Sequence, residues 1–227
     1  MNLVSLVGEY VDRGDIAEAE KIAERITEEP WQTEAWLKLS KYYAKVKDIK
    51  KLETVRSKVK GPLKQYDLRD VVMALVENEQ MDLAKSYIEL GDAEALSTVI
   101  FEMSLKGREE EVREFLRKAE EAIQGNDLNA LTNVADAAVI LKDFNMLKRL
   151  IPRIEEGDKV YSTPSIFRAH LAGYYAQLKN YKKADELLAT FPPDDPKDFF
   201  KRDRSNAVNG MLKAALAQGD IKRFDTY

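Results

Sequence analysis

Few side chains in this sequence could carry out acid–base or nucleophilic chemistry. Cysteine is absent and histidine occurs once in 227 residues, as His170. This composition excludes thiol nucleophiles, disulfides, Cys/His zinc sites and any site that needs two histidines. A lone histidine could act as a general base, but no Gly-x-Ser-x-Gly or comparable motif accompanies it. We therefore predict a structural or surface histidine, no catalytic residue, and a chain that is not an enzyme.

Sites for metal ions and nucleotides have little support. The acidic run at 194–198 places carboxylates at the short spacing that a hard cation prefers, but it lacks the glycine and the closing glutamate of an EF-hand loop. Gly-x-Gly-x-x-Gly and Gly-x-x-x-x-Gly-Lys motifs, which cradle phosphates, are absent. We predict no metal site and no cofactor, and we interpret the acidic run as a loop between helices.

Charge and hydropathy limit the partners and the location. The chain has 36 Lys and Arg against 40 Asp and Glu, which gives a net charge of -4. No global positive field attracts nucleic acid or anionic lipid. No apolar run approaches the roughly 18 residues of a membrane span, and the N-terminal residues lack the basic start of a signal peptide. We expect a cytoplasmic protein without membrane contact, and the 33% of charged residues also fits a heat-adapted organism.

A short turn between two amphipathic segments recurs seven times. The clearest copies run from Tyr10 to Ala19, from Tyr43 to Leu52 and from Tyr175 to Ala184. The third turn residue of each copy falls at 16, 49, 81, 109, 144, 181 and 221, a period of about 34 residues. The residues three and six positions after this marker are mostly apolar, which is helical spacing. Each marker therefore predicts the start of a helix.

The residue types in the turns agree with helix ends. Asp or Asn occupies the middle position in five of the seven copies and suits a helix N-cap. Gly14, Gly107 and Gly219 precede it and suit the left-handed residue that ends a helix. Further helix starts are expected after Asp67, Asp92 and Asp127. Each copy is predicted to be a helical hairpin, and because a lone hairpin cannot bury its apolar stripes, we predict that all seven stack as one domain over 1–227.

This pattern resembles the tetratricopeptide repeat family. The second copy carries the family's positions as Trp36, Leu39, Ser40, Tyr43, Asp48 and Leu52, and the sixth as Leu171, Ala172, Tyr175, Asn180, Ala184 and Leu188. The resemblance implies an all-α fold, a right-handed α-solenoid of about seven repeats whose first helices line a concave groove. Larger residues replace the small first-helix residue in four copies, at Val7, Val72, Ile100 and Leu212. We expect the helices of those copies to lie further apart.

The resemblance also implies which first-helix positions face the groove. We predict that a protein or peptide segment binds there, and that the chain is a non-catalytic scaffold for protein–protein interaction. The predicted groove residues are Lys41, Lys45, Arg69, Met73, Phe101, Asp136, Asn206, Asn209 and Lys213. Met73 and Phe101 form an apolar centre with polar flanks, as a peptide-binding surface requires. Alternatively, irregular packing buries these two side chains and closes the groove.

Two other functions stay open at this point. A helical-repeat RNA-binding protein would need a basic strip, whereas the four cations among the groove residues lie among acids such as Glu77 and Asp136. An all-helical enzyme would need a deep pocket beside His170 with carboxylates nearby. We rank both alternatives below a protein-binding scaffold.

The C-terminal residues suggest a separate contact surface. A last helix starting at Ile221 would place Ile221, Phe224 and Tyr227 in an apolar row. The ends of helical-repeat stacks normally need a polar outer face. We therefore expect this edge to meet a second copy of the chain, giving a homo-oligomer, or to fold back on the stack.

Overall fold

A computed structural model describes residues 2–161, 165–192 and 203–224 of the chain. The helices of this part are α1 Leu3–Arg13, α2 Ile16–Glu24, α3 Trp31–Val46, α4 Ile49–Arg56, α5 Gln65–Glu77, α6 Met81–Ile88, α7 Ala93–Leu105, α8 Glu109–Ala122, α9 Leu128–Ile140, α10 Phe144–Asp158, α11 Ile166–Gln177, α12 Tyr181–Leu188, α13 Asp203–Ala217 and α14 Ile221–Phe224. The described residues form no strand, so the predicted all-α class is confirmed. None of these helices has both the length and the apolar character needed to cross a membrane.

The second helix of each predicted hairpin begins at its marker residue. These helices start at Ile16, Ile49, Met81, Glu109, Phe144, Tyr181 and Ile221, so the predicted starts are confirmed. Asp48, Asp143 and Asn180 act as N-caps, because each side chain accepts the backbone N–H three residues further on. Gly14 and Gly219 take the left-handed conformation, with φ of 82° and 67°.

Met1–Val99 form one compact unit, called unit 1. Within unit 1, α1 packs on α2 and α3, α3 packs on α4 and α5, and α5 packs on α6. These contacts join helices that are neighbours or next neighbours along the chain, as stacked hairpins require. Trp36 and Leu52 are buried at their repeat positions. Ser40 is also buried, donates a hydrogen bond to the carbonyl oxygen of Trp36 and accepts one from the hydroxyl of Tyr87.

Ile100–Tyr227 form the second compact unit, called unit 2. Here α9 packs on α8, α10 and α11, α11 packs on α10, α12 and α13, and α13 packs on α12 and α14. The approach of α11 to α13 is close because Gly173 and Gly210 face each other. A Cβ atom at Gly173 would lie only 3.3 Å from the Cα of Gly210.

This close approach corrects one expectation. We expected Leu212 to hold the helices of the last copy apart, but the contact with α11 is made two residues earlier, by Gly210. Leu212 is half-buried. The large side chain of Leu212 is therefore offset by the glycine at position 210 of the same helix.

Side chains of one hairpin donate hydrogen bonds to backbone carbonyls of the preceding hairpin within each unit. In unit 1, Asn78 Nδ2 donates to the carbonyl oxygen of Ala44 at 2.9 Å. In unit 2, Gln218 Nε2 donates to that of Ala176 at 2.9 Å. Both donors follow a first helix, and both acceptors lie near the end of the preceding first helix. Each carbonyl lies in the last turn of its helix and also accepts a backbone N–H there, from Lys47 or Lys179, so the side-chain amide adds a second bond.

Several predictions concern residues outside the described ranges or the arrangement of the whole chain. The acidic run at 194–198 and Tyr227 lie outside the described residues. The self-association edge at Ile221, Phe224 and Tyr227 therefore stays a prediction. So do the single domain over 1–227 and the solenoid form of the whole chain.

Candidate functional site

A pocket of about 470 Å³ opens in unit 2 along the predicted first helices. Its walls come from α9, α11 and α13 and from the C-terminal part of α7. Five of the nine predicted groove residues line this pocket, namely Phe101, Asp136, Asn206, Asn209 and Lys213. Residues from three parts of the sequence are thus brought to one place.

Helical spacing explains why α13 presents its polar residues together. Asn206, Asn209 and Lys213 are separated by three and four residues and therefore lie on one face of the helix. The glycine pair at Gly173 and Gly210 lies on the same pocket wall and brings the backbones of α11 and α13 close together. The polar side chains of α13 consequently stand beside α11 without a bulky residue between the helices.

The polar centre of the pocket is the carboxylate of Asp136. The hydroxyl of Tyr174 donates a hydrogen bond to its Oδ1 at 2.8 Å, and the Nδ1 of His170 lies 3.5 Å from the same oxygen. The Tyr174 hydroxyl is buried, and it also lies 3.2 Å from the carbonyl oxygen of Thr132. Tyr174 thus fixes the position of the carboxylate on the pocket wall.

Tyr174 is held in its neutral form by its surroundings. Burial raises the pKa of its phenol well above the ordinary value, and the negative charge of Asp136 raises this pKa further. The phenol therefore remains a hydrogen-bond donor to Asp136 at every physiological pH. About a quarter of the Asp136 side chain is exposed, so this carboxylate can also bind a group that enters the pocket.

Carbon-rich side chains form another part of the wall. Leu105 is 64% exposed although it lies at the end of α7, and Ile166 at the start of α11 is also exposed. Phe101 is half-buried. Exposed apolar side chains beside a pocket are typical of a surface that binds a partner.

The other four predicted groove residues belong to unit 1. Lys41 Nζ lies 3.2 Å from Asp70 and 3.7 Å from Asp67, so its charge is compensated locally. Lys45 is exposed and lines a pocket of about 630 Å³ between α1 and α3. Arg69 is half-buried. Met73 is only 8% exposed, and its side chain therefore offers little surface to a partner.

His170 and Tyr174 line the pocket in unit 2 but are not among the predicted groove residues. His170 was expected to be structural or at the surface; 36% of its side chain is exposed, and it lines the pocket beside Asp136. The available signal was helical spacing, because Ile166, His170 and Tyr174 follow one another at intervals of four residues on α11.

The pocket offers hydrogen-bonding, charged and apolar groups to a ligand. The residues that line the pocket include no serine, threonine or cysteine. Among the described residues, no three His, Asp or Glu side chains lie together as a metal site would require. The site does offer one carboxylate, one ammonium group, one imidazole and three side-chain amides beside an apolar wall.

Comparison with protein-family models gave no match, and comparison with curated proteins gave no significant match.

Proposed function

We propose that this chain is a non-catalytic scaffold of the tetratricopeptide-repeat type that binds a peptide segment of a partner protein along its first helices. A right-handed stack of about seven hairpins and a cytoplasmic location belong to this proposal. The observation that carries it is the pocket in unit 2. Its lining comes from the first helices of four consecutive predicted hairpins, α7, α9, α11 and α13. A binding surface that follows successive first helices is what the resemblance implies.

The side chains of the pocket suit a peptide. Each amide of Asn206, Asn209 and Gln177 can both donate and accept a hydrogen bond, as a peptide backbone requires. The exposed carbon atoms of Leu105 and Ile166 can cover an apolar side chain. Asp136 and Lys213 bring one formal charge of each sign, so the pocket has no positive field for nucleic acid.

The proposal is tested with random peptides displayed on phage and selected on the full chain. Selected peptides are synthesised and their dissociation constants are measured by calorimetry with Leu105→Glu and Leu216→Glu variants. Both leucines are exposed, at 64% and 70%, but Leu216 does not line the pocket. We expect Leu105→Glu to weaken binding at least about tenfold and Leu216→Glu to leave it unchanged. Equal affinity for both variants, or a selection that enriches no peptide, would contradict the proposal.

An all-helical hydrolase is a second candidate because His170 stands 3.5 Å from the carboxylate of Asp136 in a pocket. Because the lining has no serine, threonine or cysteine, the simplest role for the imidazole would be to activate water. The test is hydrolysis of a panel of activated esters and phosphoesters by the wild type and a His170→Ala variant. Turnover that disappears in the variant would favour the enzyme over the scaffold.

An RNA-binding function has less support than either the peptide-binding scaffold or the hydrolase. The cation Lys41 already lies beside two aspartates, and Lys213 shares its pocket with Asp136. Binding of single-stranded RNA that falls steeply with salt concentration would overturn this ranking.

A further inference from the structure

We propose that the pocket in unit 2 binds an aromatic side chain that carries a neutral hydrogen-bond donor, namely a tyrosine or tryptophan of the bound peptide. This inference rests on the proposed function, because it specifies the residue that the peptide-binding surface recognises.

The size and apolar wall of the pocket suit a ring. A volume of about 470 Å³ accommodates a large side chain together with part of the adjoining backbone. Phe101 supplies a half-buried ring to the lining, and Leu105 and Ile166 supply exposed aliphatic carbon. An aromatic ligand would gain from the apolar area that it buries and from an edge-to-face or offset contact with Phe101. An unbranched polar side chain would leave this wall in water.

The carboxylate of Asp136 requires that the ring carry a donor. Tyr174 satisfies one hydrogen-bonding site of this carboxylate at 2.8 Å, and the exposed remainder is hydrated in the free protein. A ring without O–H or N–H would displace this water and return no hydrogen bond, which is costly for a charged acceptor. The phenol of tyrosine or the indole N–H of tryptophan replaces the lost bond.

The balance of charge favours a neutral donor over a cationic or anionic one. Asp136 on α9 and Lys213 on α13 are the ionised side chains of the lining, and they carry opposite signs. His170 on α11 adds a positive charge to this balance whenever its imidazole is protonated. An arginine side chain would thus meet Lys213, and a phosphotyrosine would meet Asp136. A charged ligand binds best where all the charges of the lining have the opposite sign, and this pocket offers that to neither group.

The single histidine of the chain serves as an NMR probe of ligand binding in the pocket. His170 lines the pocket, so the imidazole C–H signals of a ¹³C-labelled full chain without a histidine tag report on occupancy and need no assignment. The probes are the N-acetyl amides of tyrosine, tryptophan, phenylalanine and arginine. We expect saturable shifts with the tyrosine and tryptophan amides, and binding at least about tenfold weaker for the phenylalanine and arginine amides. Equal or tighter binding of the phenylalanine or arginine amide, or no shift with any probe, would overturn the inference.

A variant tests whether Asp136 causes the selectivity. Asp136→Leu removes the carboxylate and leaves Tyr174 with the Thr132 carbonyl oxygen as acceptor. We expect this variant to bind the phenylalanine amide as well as or better than the tyrosine amide. Glu186→Gln, an exposed acid that does not line the pocket, should retain the wild-type preference. Should Asp136→Leu fail to fold, Asp136→Asn is expected to reduce the preference to about threefold. An unchanged preference in the folded variant contradicts the inference.

The two proposals can fail separately. Displayed peptides that need Leu105 but lack an enriched tyrosine or tryptophan, with no shift of the His170 signals by the amides, would contradict the aromatic inference alone. Failure of both the peptide selection and the amide titration would contradict the peptide-binding function as well.

Discussion

The hydroxyl of Tyr43 at the end of α3 donates a hydrogen bond to Oε1 of Glu20 on α2 at 2.7 Å. In unit 2 the hydroxyl of Tyr175, at the equivalent repeat position on α11, donates to Oε1 of Glu155 on α10 at 2.8 Å. In both units a tyrosine of a first helix thus binds a glutamate of the helix before it. The same position therefore joins successive hairpins in two places along the chain.

The Glu20 contact makes the stability of the chain dependent on pH. Burial raises the pKa of Glu20, but hydrogen bonds from Lys51 and Tyr43 and the charge of Lys51 outweigh burial and lower this pKa below its ordinary value. A lowered pKa stabilises the folded state above the unfolded pKa, and this contribution is lost as the pH falls through the folded pKa. We expect Glu20→Gln to reduce the free energy of unfolding by about 1 kcal/mol at pH 7 and to have little effect at pH 3.

Urea unfolding at both pH values measures this difference. The control is Glu186→Gln, since Glu186 is exposed. Parallel stability curves for the wild type and Glu20→Gln between pH 7 and pH 3 would show that the contact contributes nothing.

The amide side chains that bind the preceding first helix are expected to stabilise it. Gln218→Ala removes the donor to the Ala176 carbonyl oxygen and the acceptor that the Tyr181 hydroxyl uses at 2.8 Å. We expect a loss of about 1–3 kcal/mol, because polar groups lose their partners in a half-buried place. Denaturant unfolding gives the value, with Gln124→Ala at an exposed position as the matched control. If Gln218→Ala lowers the free energy of unfolding no more than Gln124→Ala does, the Gln218 side chain has no capping role.

The glycine contact between α11 and α13 should tolerate no larger residue. A Cβ at Gly210 would lie 3.2 Å from the Cα of Gly173, and further side-chain atoms would push the two helices apart. We expect Gly210→Leu to lower the free energy of unfolding by about 1–3 kcal/mol. Ala217→Leu introduces the same side chain at an exposed position of α13 and should change the free energy of unfolding by less than about 0.5 kcal/mol. Thermal and denaturant unfolding of the two variants compare them, and equal stabilities would refute the close contact.

The buried hydrogen bond from Tyr87 to Ser40 should also be measurable. The Tyr87 side chain is fully buried, and burial raises the pKa of its phenol to about 12, so the hydroxyl is a neutral donor. Tyr87→Phe leaves the Ser40 oxygen without this donor at 2.9 Å, and we expect a loss of about 1 kcal/mol. Tyr42→Phe, at a half-buried tyrosine, serves as the control in the same unfolding experiment.

The sequence predicts local structure better than it predicts the site. The helix starts at Ile16, Ile49 and Tyr181 follow from turn residues whose conformational preferences act within a few positions. The predicted start after Asp67 is less accurate, because α5 begins at Gln65. No N-cap side chain marks that start, since Lys64 at the cap position makes no side-chain cap bond.

The site depends on how neighbouring helices meet, and the repeat pattern describes this only in part. Five of the predicted groove residues line one pocket, and they share the period of the repeat. His170 and Tyr174 escaped prediction because their importance comes from Asp136, which lies more than thirty residues earlier in the chain. The contact of Gly210 with Gly173 was missed because the repeat pattern places the small residue at position 212 instead.

The bonds from Asn78 to Ala44 and from Gln218 to Ala176 also affect how the chain is made. During synthesis, α3 and α11 are translated before the amides that bind carbonyls of their last turns. Each of these carbonyls already accepts an N–H at its own helix end, from Lys47 or Lys179, and gains its second bond only when the next first helix has been translated.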